Sequence, residues 1–141
     1  MTTEYVATGR SRVEPPITLS ADDYQRLSAL AHLAKNSLPD RAADLAEEIE
    51  RAQVLAKGSY PKHIVCMNSE AEFRDDTTGK TRRVTLVYPE DADISQGKIS
   101  VLTPVGTALI GLEIGHSISW ETPNKEIRQL TVLAVNGNRA G

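Results

Sequence analysis

Little in this chain suits covalent or redox chemistry. Cys66 is the only cysteine, so no internal disulfide and no cysteine-based zinc knuckle is available, and a lone thiol in an apolar stretch is expected to be packing. His32, His63 and His116 lack the spacing of a zinc motif, and there is no Gly-x-Ser-x-Gly nucleophile elbow. No cofactor is expected. Aromatic residues make up only 4% of the sequence, and no apolar run approaches the roughly 20 residues that span a bilayer, so no membrane partner is expected. Charge of one sign is missing too: 16 basic against 19 acidic residues give a net charge of -3. That balance argues against broad capture of nucleic acid through phosphates, and no direct sequence-specific nucleic-acid binding is expected. The amino terminus lacks a basic segment leading into an apolar stretch, which predicts a cytoplasmic protein.

What remains is an ordinary apolar share of 40% in 141 residues, enough for one core and a small satellite. Residues 1–16 have no periodicity and few apolar anchors and read as a flexible tail. Residues 17–57 read as a short antiparallel helical hairpin of the coiled-coil type. Ser20-Ala-Asp-Asp23 is a capping box opening the first helix, on which Leu27, Leu30 and Ala34 recur. Asn36-Ser37 breaks it, and Ser37-Leu-Pro-Asp40 offers a second capping box. Leu38, Ala42, Leu45, Ile49, Ala52 and Ala56 then form the seam of the second helix. Arms of about 14 and 18 residues would reach roughly 20–27 Å. Residues 58–61, Gly-Ser-Tyr-Pro, read as a linker.

From Lys62 the apolar period shortens to two. Strands are predicted at 64–67, 71–74, 81–88, 98–102, 116–121 and 127–135, forming a bent antiparallel sheet, with a turn at 76–80. Between the fourth and fifth of these, Thr103 caps a short helix opened by Pro104, with Val105, Ala108, Leu109 and Leu112 on one face. The fold class is α+β.

Ser100-Val-Leu-Thr-Pro-Val-Gly-Thr-Ala-Leu-Ile-Gly-Leu-Glu-Ile-Gly115 resembles the carboxy-terminal domain of bacterial Gre transcript-cleavage factors. With Met67-Asn-Ser69, Phe73-Arg-Asp75, Val84-Thr-Leu-Val-Tyr-Pro89 and Ile118-Ser-Trp120 in the same order, it looks nearest to the Rnk relatives within the GreA/GreB family, named as regulators of nucleoside diphosphate kinase. The resemblance implies an FKBP-like domain over residues 62–141 that docks on the rim of the RNA polymerase secondary channel. The matching positions are Ser100, Leu102, Thr103, Pro104 and Val105. Leu102 and Val105 are open to two readings, an apolar anchor for the partner or inward packing.

Gre factors also place two carboxylates at the hairpin tip, where they help hold magnesium in the polymerase active centre. Ser37, Asp40 and Asp44 are the tip residues here. Asp40 and Asp44 share one helix face, yet acids near a helix start are favoured as solvated caps, and the Asp-Leu-Ser-Glu-Asn core of the Gre tip is missing. The expected protein is therefore not an enzyme. It is a monomeric regulator that binds core RNA polymerase and competes with Gre factors without stimulating cleavage.

Other motifs carry less. Gly106-Thr-Ala-Leu-Ile-Gly111 has phosphate-loop spacing but continues Leu-Glu, so close helix-to-sheet approach and a tight exit are the favoured reading. Asp91-Ala-Asp-Ile-Ser-Gln-Gly97 reads as a turn, without the acid that would complete a calcium loop. Trp120 is read as core, with the wall of a prolyl-isomerase pocket as the alternative. Direct partnership with nucleoside diphosphate kinase is suggested by the Rnk name alone.

Overall fold

The computed structural model describes residues 14–59 and 61–136. Most of the expected tail, residues 1–13, and one linker residue, Tyr60, lie outside them. The first unit runs β1 (Ile17–Leu19), α1 (Ala21–Leu33), α2 (Pro39–Glu50) and β2 (Ala52–Val54). The second runs β3 (Glu70–Asp75), β4 (Thr81–Val87), β5 (Lys98–Ser100), α3 (Pro104–Leu109), β6 (Ser117–Glu121) and β7 (Ile127–Asn136). It is an α+β fold. Among the described residues, no helix is long and apolar enough to cross a membrane.

Ser20 caps α1 as its sequence requires: the hydroxyl accepts a bond from the Asp23 amide at 3.1 Å. The second capping box does not form. Leu38, in place of Ser37, is the N-cap residue of α2 and makes no side-chain bond, while Pro39 opens the helix. α2 is also shorter than its seam predicts. It ends at Glu50, and residues 52–54 turn into a strand that pairs in parallel with β1, Ile17 opposite Ala52 and Leu19 opposite Val54. The Leu55 amide continues the pairing to the Leu19 carbonyl at 2.9 Å. Ala52 and Ala56 therefore leave the hairpin seam, and the helices of 13 and 12 residues reach only about 20 Å each.

In the second unit the order across the sheet is β5-β4-β3-β7-β6. The expected sheet was antiparallel throughout. The pairs β3–β4, β3–β7 and β6–β7 are antiparallel, but β5 lies parallel to β4, reached by a connection of two single-turn 3-10 helices, Pro89–Asp91 and Ile94–Gln96. The Asp91–Gly97 stretch is thus a turn, with Asp93 Oδ1 accepting from the Ser95 amide at 3.1 Å and Gly97 in the left-handed region. Residues 64–67 form no strand beyond a single bridge from Ile64 to Glu113. β5 stops at Ser100, so Val101 and Leu102 belong to the turn before α3.

One core runs through both units. Leu27, Leu45, Phe73, Leu86, Leu109, Leu112, Ile118 and Leu130 belong to one buried cluster, so the helix pair lies against the sheet domain. Polar links secure this joint. Asp23 Oδ2 accepts from the Met67 amide at 3.1 Å, the Thr18 amide donates to the Gly111 carbonyl at 3.0 Å, and the Arg26 guanidinium lies 4.1 Å from the centre of the Tyr88 ring.

Candidate functional site

The turn from β5 into α3 is built from its own hydroxyls. Ser100 Oγ accepts from the Leu102 amide at 3.0 Å. Thr103 Oγ1 donates to the Ser100 carbonyl at 2.7 Å and accepts from the Gly106 amide at 3.0 Å, and Thr107 Oγ1 donates to the Val101 carbonyl at 2.7 Å. Gly106 allows this packing, because a β-carbon there would sit 2.2 Å from the Ser100 carbonyl oxygen. Gly111 turns through a φ of 79° as the chain leaves toward β6, which is the tight exit read from the sequence.

The candidate docking residues divide accordingly. Thr103, Pro104 and Val105 are half-buried at the surface. Leu102 is buried in the core, so of its two readings inward packing is the one the structure adopts. Its carbonyl accepts from Arg41 Nη1 of α2 at 3.1 Å. No motif or periodicity marks Arg41, whose long reach across 61 positions ties the hairpin to this turn.

That contact draws the tip acids beside α3. Asp40 and Asp44, one turn apart on α2, line a cleft of about 540 Å³ together with Pro104, Ala108, Ile118 and Trp120. Ser37 is exposed in the hairpin turn and is not among the lining residues. Trp120, on β6 opposite Arg128, is partly buried: it packs against the core and also forms part of the cleft wall. Its indole Nε1 is screened from solvent and finds no hydrogen-bond partner among the described residues. Acids rather than apolar groups dominate the rest of the lining, an unsuitable setting for desolvating a proline amide. Among the described residues, no three His, Cys, Asp or Glu side chains come together to hold a metal ion.

Two carboxyls are withdrawn from solvent, Glu48 buried on α2 and Asp23 half-buried at the joint between the units. Burial raises the Asp23 pKa against the lowering effect of the Met67 amide, and burial likewise raises Glu48, against its 2.8 Å pair with Arg51. Cys66 is pushed to about 11 by burial and the nearby Asp23 charge, so the thiol stays protonated and weakly nucleophilic at neutral pH. A raised folded-state pKa means that the native state binds the proton more tightly. The stabilisation from Asp23 and Glu48 is therefore complete below their ordinary values of 3.8 and 4.5 and is lost as pH rises through the higher folded values. Thermal melts compared between pH 7 and pH 4 should show a smaller stability gain on acidification in Asp23→Asn/Glu48→Gln than in the unmodified chain; equal gains would contradict the assignment.

Residues 15–55 match the Rnk N-terminus family, spanning the unit from β1 to β2, and residues 60–137 match the family "Transcription elongation factor, GreA/GreB, C-term". The chain belongs to the GreA/GreB family, in its Rnk branch. The Escherichia coli K12 protein named regulator of nucleoside diphosphate kinase is 37% identical over 119 residues, covering 84% of this chain and 88% of that one. The solved GreA/GreB elongation factor of Nitrosomonas europaea is 37% identical, with a TM-score of 0.67 over 88% of this chain and all of that one. The Thermus aquaticus transcription inhibitor protein Gfh1 is 31% identical over 84% of this chain and 75% of its own length. The chain is thus related to regulators and transcription factors, and the two family matches divide between the two units that the shared core joins.

Proposed function

We propose that this protein is a non-catalytic, cytoplasmic regulator that binds core RNA polymerase at the secondary channel. Its sheet domain, read as FKBP-like, docks through Thr103, Pro104 and Val105, and the hairpin, a short coiled-coil arm, enters only part way. The observation that carries this reading is the pairing of a GreA/GreB carboxy-terminal domain with helices of 13 and 12 residues, an arm of only about 20 Å. An arm of that length occupies the channel mouth without delivering carboxylates to the active centre, which makes the protein a competitor of Gre factors. A relative named as a transcription inhibitor favours the same direction.

Purified protein titrated against polymerase carrying a labelled Gre factor should displace it, while a backtracked complex releases no cleaved transcript. Absence of displacement would reject the reading, and cleavage would assign metal assistance to Asp40 and Asp44. Thr103→Asp keeps an oxygen that accepts from the Gly106 amide, but loses the donation to the Ser100 carbonyl and adds a charge beside Pro104; it should weaken displacement about tenfold, with circular dichroism checking that the fold is kept. Undiminished displacement by that variant would move the docking surface elsewhere. The printed name of the Escherichia coli relative favours nucleoside diphosphate kinase as a second partner; a direct binding measurement with the kinase decides it.

A further inference from the structure

The helix pair carries a groove of about 740 Å³ running between α1 and α2, apart from the turn assigned to docking. Its floor is Ala31, Ala42 and Ile49, all buried, and Ala46 stands exposed on the α2 wall. Side chains this small let another helix come within the roughly 8–10 Å of close helix packing. Tyr24 of α1 stands at the rim with 41% of its surface exposed, a large aromatic with an apolar body to bury.

Charge is confined to the two ends of this groove. Lys35, with His32 beside it, lies at the hairpin tip, and Glu50 lies at the base, about 17 Å from Pro39 along α2 at 1.5 Å per residue. Neither Lys35 nor Glu50 makes an ion pair among the described residues. Tyr24, early in α1, shares the Glu50 end, because the short turn after α1 sends α2 back along it. A face with a cation at one end, an anion at the other and small residues between is complementary to itself when turned end for end. Two copies laid groove to groove in antiparallel, two-fold symmetry set Lys35 of each over Glu50 of the other, and carry Tyr24 of each toward the tip end of the facing groove. A parallel pair would oppose lysine to lysine and glutamate to glutamate.

We propose that this groove is a self-association face, through which two copies of the chain pair by their helical hairpins in that antiparallel arrangement. This departs from the single chain expected from the sequence. A hairpin about 20 Å long and two helix widths, about 20 Å, across offers on the order of 400 Å² per copy, half of the roughly 800 Å² each partner gives to a standard stable interface. The pair is accordingly weak and reversible, with a dissociation constant expected at about 10–100 µM. Pairing doubles the thickness of the arm, so a paired chain is excluded from a channel that fits one hairpin. That consequence rests on the polymerase reading; the pairing itself does not.

Sedimentation velocity on the full chain, from about 5 to 500 µM, reads the pairing without any partner, and the unmodified chain should pass from monomer to dimer across that range. Lys35→Glu and Glu50→Lys each oppose like charges at both symmetric contacts, and each should weaken self-association about tenfold with unchanged circular dichroism. Mixing these two variants should restore dimers, because the mixed pair again has opposite charges at both contacts. Ala46→Glu, which places a charge in the small-residue stretch, should abolish them. A chain that stays monomeric throughout, a dimer indifferent to the charge reversals or to Ala46→Glu, or a mixture that pairs no better than its components would each overturn the proposal.

Discussion

Gly106→Ala is expected to lower the unfolding free energy by about 3 kcal/mol, the upper end of what overpacking a close-fitted site usually costs. The added carbon would lie 2.2 Å from the Ser100 carbonyl oxygen and 2.9 Å from both Thr103 Oγ1 and the Val101 Cα. Two of these are backbone atoms at the end of β5, so no side-chain rotation relieves the clash. Either α3 moves off the sheet or the Ser100–Thr103 turn opens, and the second course breaks the bond from Thr103 Oγ1 to the Ser100 carbonyl. A chemical denaturation midpoint measures the loss. A cost under about 1 kcal/mol would mean that α3 shifts freely and that the close approach is no constraint. The same variant should lose displacement of a Gre factor, because the proposed docking residues stand on the turn that Gly106 allows.

Leu45→Ala should cost a comparable amount, about 3 kcal/mol, by the separate route of an unfilled cavity. Leu45 is completely buried on the inward face of α2, beside Ala42 and Ile49. It belongs to the core that continues into the sheet domain, so truncating it loosens the joint between the units as well as the helix pair. Hydrogen exchange separates these effects. Amides of α1 and α2 should lose protection more than those of β3 and β7, whose long antiparallel pairing does not depend on Leu45. Uniform loss across both units would show instead that they unfold as one.

Local sequence chemistry reached some elements directly. Ser20 and Thr103 each cap a helix whose first turn exposes amides that only a nearby oxygen satisfies, so a hydroxyl at the right position suffices to mark the start. Alternation in Glu70–Asp75 and Thr81–Val87, with the turn between them, marks the central strand pair because one face must be apolar. The turn from β5 into α3 was legible because its proline, glycines and family resemblance coincide within a few positions. Its relation to the hairpin was not, since Arg41 reaches Leu102 across 61 positions and no periodicity encodes such a contact.

Ser37 shows the limit of a motif. Its spacing to Asp40 is that of a capping box, yet α2 begins one residue later and leaves the hydroxyl outside. Asp23 shows the converse, for the box residue sends its carboxylate to the Met67 amide of the other unit, a role its own helix does not require.

By itself the sequence determined the caps of α1 and α3, the central strand pair and membership of the GreA/GreB family, because each follows from neighbours within a few residues or from an ordered set of motifs. Tertiary structure alone decided where α2 stops, how β5 runs and what faces Asp40 and Asp44. Residues 52–56 have the composition of a helix, and they leave it because β1 offers a row of backbone partners that a further turn of helix would forgo. β5 runs parallel to β4 because its connection folds back as two short turns, a path that no local preference at Lys98–Ser100 dictates. The cleft exists only because the buried core presses α2 against α3 and β6, bringing carboxylates, proline and tryptophan together from positions some 80 residues apart, as from Asp40 to Trp120. Contacts of that range are fixed by the packing of the whole chain.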